Sequence, residues 1–97
     1  MEHLTMKELE TLLDAVRAHG PQKQIIKAVE ELGELSQALC KYLAEGADPD
    51  HVAEEMADVA IMLEQLKIIF ENHARVDAWE HEKLARLAAR IDGGEAR

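Results

Sequence analysis

The chain has 97 residues, 47% hydrophobic and 32% charged, a composition that fits one globular domain and excludes a disordered chain or a second domain. Its net charge of -9, from 20 acidic against 11 basic residues, argues against nucleic acid and anionic membranes as partners, because both need clustered Lys and Arg. A single cysteine excludes an intrachain disulfide, and no apolar run long enough for a leader or a membrane span is present, so a cytoplasmic protein is expected.

Thr5 followed by Glu8 forms a capping box, so the first helix is expected to start at Thr5. It carries Leu9, Leu12, Leu13 and Val16 at helical spacing and stops at His19-Gly20-Pro21. A second helix is expected from about Gln22 to Glu45, with Ile25, Val29, Leu32, Leu35, Leu39 and Leu43 on one stripe and Gly46 ending it. Asp48-Pro49 reads as an N-cap with proline at the first helical position. The third helix then runs to about Asn72, with Val52, Met56, Val59, Leu63, Leu66 and Phe70 on its main face. A last helix spans about Val76 to Ile91, and Gly93-Gly94 opens a frayed tail. The pattern is all-α, an antiparallel bundle of about four helices.

Helix 3 is apolar on a second side as well, where Ile61 and Ile68 lie seven residues apart. In so short a chain that second face is expected to meet another subunit, which points to a homo-oligomer.

Two acidic runs stand out, Glu30-Glu31-Leu32-Gly33-Glu34 and Glu54-Glu55-Met56-Ala57-Asp58. Each holds a pair at i, i+3, Glu31/Glu34 and Glu55/Asp58, which places both carboxylates on one side of a helix. At about 100° per residue both pairs flank their apolar stripes on the same rotational side. The short Gly46–Asp48 connection demands an antiparallel hairpin, and stripe-to-stripe packing would bring all four acids to one edge, with Glu34 and Asp58 nearly level and Glu31 deeper. Four carboxylates at a half-buried edge repel one another, and a hard divalent cation such as Mg²⁺ resolves that conflict. No Cys/His ligand spacing points to zinc. Lys27, one turn before Glu31, is within reach of a bound phosphate. The plain alternative is a solvated acidic face, since Glu is a strong helix former.

The segments KAVEELGELSQAL and HVAEEMADVAIMLEQL resemble the MazG-like all-α nucleotide pyrophosphohydrolase superfamily, whose signature is ExxE and ExxD on two successive helices. The closing EHEKLARLAARI is similar to the tail of short, single-domain members, and the likeness covers Gln24 to Ile91. The resemblance implies a single domain over residues 1–97, a helical hairpin core assembled as a homodimer or homotetramer, and hydrolysis of a nucleoside triphosphate or its deoxy form to monophosphate and pyrophosphate. It implies that Glu31, Glu34, Glu55 and Asp58 are the catalytic metal ligands for Mg²⁺, with Mn²⁺ as a substitute. Carried further, the resemblance implies Glu30 and Glu54 as water-positioning or supporting groups, Lys27 as a phosphate contact and Gln24 as a pocket residue. Phosphoribosyl-ATP pyrophosphohydrolases share the acidic helices but start differently. The alternative from another class is a non-catalytic helical interaction module.

The remaining residues read more plainly. Trp79 is expected to anchor the last helix, with base stacking as its other possible role. Tyr42 shares the acids' side of helix 2 and is a candidate substrate contact. The five histidines are scattered and read as surface groups. Cys40, beside the apolar stripe, reads as a small core residue. Lys83, Arg86 and Arg90 form a basic line that is either a solvated face or a reach toward a neighbouring subunit's phosphate site.

Overall fold

The computed structural model describes residues 3–94. Its helices are α1 (Met6–His19), α2 (Pro21–Glu45), α3 (Pro49–Phe70) and α4 (His73–Asp92), with no strand among the described residues. No helix is long and apolar enough to cross a membrane. The tail expected after Gly94 lies outside the described residues.

The helix ends follow from local chemistry. Thr5 Oγ1 accepts from the Glu8 N–H at 3.0 Å, and Glu8 Oε1 accepts from the Thr5 N–H at 2.9 Å, the reciprocal box expected from the sequence. Gly46 takes the left-handed conformation (φ 67°, ψ 38°) and its N–H donates to the Tyr42 carbonyl at 2.9 Å, which ends α2. Asp48 caps α3 by accepting from the Asp50 N–H at 3.0 Å. α3 stops at Phe70 instead of Asn72 because Glu71 itself turns left-handed (φ 50°, ψ 44°). α4 consequently begins at His73, three residues before the expected Val76.

α2 and α3 form an antiparallel hairpin, with α1 packed against both near its open end and α4 touching only α3. The hairpin does not pack stripe to stripe. On α2 the buried residues are Gln24, Ala28, Glu31 and Ala38, while Val29, Leu32, Leu39 and Leu43 are exposed. On α3 the buried residues are Glu55, Val59, Met62 and Gln65, while Met56, Leu63 and Phe70 are exposed. Ala28 and Ala38 let the two backbones approach closely, and Gln24 Nε2 donates to Gln65 Oε1 at 2.7 Å across the buried seam. Those contacts fix a rotation of α2 that turns its large aliphatic side chains about 100° away from α3.

The chain is therefore open for its length. Its accessible surface is 7518 Å², against about 5,600 Å² for a compact monomer of this mass. Its radius of gyration is 16.2 Å, against about 12.5 Å for a compact domain of this length. No residue of α4 is buried. Trp79, expected to anchor the last helix, is half-exposed, with Lys83 Nζ and the Arg86 guanidinium 5.8 and 6.0 Å from its ring centre. Cys40 is exposed, not a core residue, for the same rotational reason.

Candidate metal centre

The seam that buries Ala28 and Ala38 also carries the acids. Glu31 follows Ala28 by three residues and precedes Ala38 by seven, so it faces α3, and its side chain is 8% exposed. Glu55 precedes Val59 by one turn and faces α2, its side chain 11% exposed. Antiparallel registration through the Gln24–Gln65 bond sets Glu34 level with Glu55 and Glu31 level with Asp58. The expected levelling of Glu34 with Asp58 is thus displaced by about one turn, because α2 is shifted toward the loop relative to α3.

Glu31, Glu34 and Glu55 each offer a carboxylate oxygen within 4.8 Å of the others. Asp58 is half-buried and outside that group, yet its charge acts on Glu55. Two oxygens in the cluster, Glu31 Oε2 and Glu55 Oε2, are buried without a hydrogen-bond partner. Desolvation, then the charges of Glu34 and Asp58, hold the Glu55 carboxyl above its ordinary value, with His51 opposing them. Among the described residues the strong counter-charge is Lys27, whose Nζ lies 3.2 Å from Glu31 Oε1. The bond to Glu31 and its charge raise the Lys27 ammonium's affinity for its proton.

Buried, unpartnered carboxylate oxygens drawn together from two helices suit a hard cation, which prefers oxygen ligands and relieves their mutual repulsion. The donor set fits Mg²⁺ or Mn²⁺ better than a soft metal. A half-buried acid elsewhere gives the contrast. Glu64, lining a recess of about 300 Å³ between α1 and α3, also has a lysine on one oxygen, Lys67 Nζ 3.0 Å from Oε2, and a buried Oε1 without a partner, but it belongs to no group of three acids among the described residues.

Other expected site residues fall differently. Gln24 is buried and engaged with Gln65, and it also lines an open recess beside Lys23, Lys27 and Glu30. Tyr42 is half-exposed and lies about 12 Å along α2 from Glu34, out of reach of the acid cluster. Glu30 and Glu54 are exposed. One neighbour was overlooked among the scattered histidines: His51 Nδ1 is 3.5 Å from Glu54 and Nε2 is 4.0 Å from Glu55. Its spacing of three and four residues before those acids is the signal that marks it.

Comparison of the chain with protein-family models, with curated proteins and with solved structures returns no match.

Proposed function

We propose that the protein is a cytoplasmic, Mg²⁺-dependent pyrophosphohydrolase of nucleoside triphosphates or their deoxy forms, of the MazG-like kind and acting as a homo-oligomer. The observation that carries this reading is the meeting of Glu31, Glu34 and Glu55 from two helices with two of their oxygens buried and unpaired. Such a group is costly to fold without a cation and useful with one.

In this reading Glu31, Glu34 and Glu55 hold the cation. When bound, Mg²⁺ neutralises triphosphate charge and makes a nearby water more acidic. Lys27, half-exposed and next to Glu31, offers its ammonium to an anionic phosphate at the mouth of the cluster. Asp58, beside Glu55 but outside the three-oxygen group, is the carboxylate left free to accept the proton of the attacking water. The buried seam behind the acids excludes bulk water from one side of the site. The resemblance of the two acidic motifs to the MazG-like signature supports the choice of substrate.

Two measurements test the proposal. Mg²⁺ is expected to raise the melting temperature of the wild type by mass action on the folded state, and Glu31→Gln to remove that rise. Asp58→Asn is expected to keep the Mg²⁺-dependent rise and lose at least tenfold in pyrophosphate release from a (d)NTP panel, a magnitude typical of removing a general base. A wild type that melts identically with and without Mg²⁺, and releases no pyrophosphate from any nucleotide, would favour the non-catalytic interaction module. The exposed apolar face of the hairpin suits that second reading equally well.

A further inference from the structure

Glu31 Oε2 and Glu55 Oε2, buried without a hydrogen-bond partner, belong to the acid cluster. Glu64 Oε1 is buried and unpartnered too, yet it lies outside that cluster and the proposed chemistry leaves it unused. A buried acceptor without a donor costs stability, so its retention calls for a reason. Glu64 stands nine residues after Glu55, about 180° around α3, and so faces away from the α2–α3 seam. There it lines the recess of about 300 Å³ between α1 and α3, with Leu4, Leu12, Ala60 and Ile61 as apolar walls. That volume is at the small end of ligand sites, ~300–1,000 Å³, and about twice the ~150 Å³ cavity that takes up a benzene ring.

Apolar walls around a few polar groups are the make-up of a small-molecule site. His3, Glu8 and Thr11 complete the lining. Thr11 Oγ1 already donates to the Lys7 carbonyl at 3.0 Å, and Glu8 Oε1 already accepts from the Thr5 N–H at 2.9 Å. Glu64 differs. Lys67 Nζ holds its Oε2 at 3.0 Å, so Oε1 is the acceptor left over. The terminal torsion of a glutamate is broad, and a modest turn of the carboxylate presents Oε1 to the recess. Charge then selects the donor. With His3 counted as neutral, Glu8 and Glu64 against Lys67 leave one negative charge at the recess, in a chain whose net charge is -9. A monocation balances it, whereas a carboxylate or phosphate would meet two acids.

We propose that the recess between α1 and α3 binds a small primary amine with an apolar body, its ammonium on Glu64 Oε1 and its body between Leu4, Leu12 and Ile61. The carboxylate then carries one ammonium on each oxygen. A metal ion is the wrong occupant here, because Glu64 joins no group of three ligating side chains among the described residues and the walls offer no further oxygens. The site stands apart from the acid cluster and does not rest on the Mg²⁺ reading.

Titrations of the full chain followed by NMR test the site, with phenethylamine, phenethyl alcohol and hydrocinnamate as probes of one shape and three charges. Phenethylamine is expected to saturate with a Kd of about 1 mM or below and to shift the amides of Leu12, Ala60, Ile61 and Glu64. The alcohol is expected to bind at least tenfold more weakly, the margin of a charge-assisted bond, and hydrocinnamate not to saturate. Ala60→Leu fills the recess from an exposed helical position and is expected to abolish amine binding with the helices intact by circular dichroism. Glu64→Gln is expected to bring the amine down to the affinity of the alcohol. If that variant loses helicity, Ala60→Leu and the three probes decide alone. No saturable amine binding, an alcohol that binds as tightly as the amine, or an Ala60→Leu protein that binds like the wild type would each overturn the proposal. The Mg²⁺-dependent melt, measured without amine, judges the enzyme reading separately.

Discussion

Glu55 carries the sharpest conflict at the scale of single residues. Its carboxyl is held above the ordinary value of 4.5, first by desolvation and then by Glu34 and Asp58. A carboxyl with a raised pKa in the fold opposes folding when it ionises. That opposition is absent below pH 4.5, where the group is protonated folded or unfolded, and complete above the raised value. Glu55→Gln is therefore expected to raise the melting temperature of the metal-free protein near neutral pH. The gain should vanish as the pH falls below 4.5, and excess Mg²⁺ should reverse its sign, because the cation stabilises the wild type alone. A variant that melts at or below the wild type without metal at neutral pH would contradict the account. Lys27 acts in the opposite sense, since its raised value gives stability that persists until the pH climbs through it. That Glu31 and Glu55 fall in acidic i, i+3 pairs was legible in the sequence. Their burial was not, because burial depends on which face of α2 meets α3, and Ala28 and Ala38 decide that.

The helices themselves show what local chemistry can and cannot announce. The boundaries of α1, and those of α2 to within a residue, were readable because Thr5, Glu8, Gly20, Pro21 and Gly46 each impose a specific backbone geometry. The break between α3 and α4 was placed late, because Glu71 turns left-handed where glycine would be the ordinary choice. A side chain there costs about 1 kcal/mol relative to glycine. Glu71→Gly is accordingly expected to stabilise the chain by about 1 kcal/mol, seen as a higher urea midpoint with an unchanged slope. No gain, or a loss, would mean that the turn depends on the Glu71 side chain. The rotation of α2 was the larger misreading. Its longest aliphatic stripe was expected to face α3, whereas small residues took that place and left the stripe outward. Periodicity identifies an apolar face without saying which neighbour covers it, and a helix with both a small-residue face and a large-residue face has two neighbours to satisfy.

For the whole molecule, incompleteness is the ruling feature. An elongated radius of gyration and an α4 with nothing buried describe a chain that leaves much of its apolar surface uncovered. In the proposed homo-oligomer folding and association are coupled, so the melting temperature should rise with protein concentration. An increase across a hundredfold concentration range is the expected result; a melt independent of concentration would mean that the lone chain is stable with that apolar surface in water. The second face of α3 had suggested a partner, and it was assigned to Ile61 and Ile68. Ile61 is indeed exposed, at 48%, although it also lines the recess beside α1; Ile68 is only partly exposed, and Met56, Leu63 and Phe70 form a further outward stripe.

The amide pair of Gln24 and Gln65 works as a clasp at the open end of the hairpin. Were α2 to slide one turn along α3, the two amides would part in an interior that offers no substitute, at a cost of about 1–3 kcal/mol for each stranded group. Glutamines with no charge of their own, about 10 Å along the helix from Glu31, thereby hold the carboxylates at a constant separation. A cation leaving the cluster would find the same spacing on its return.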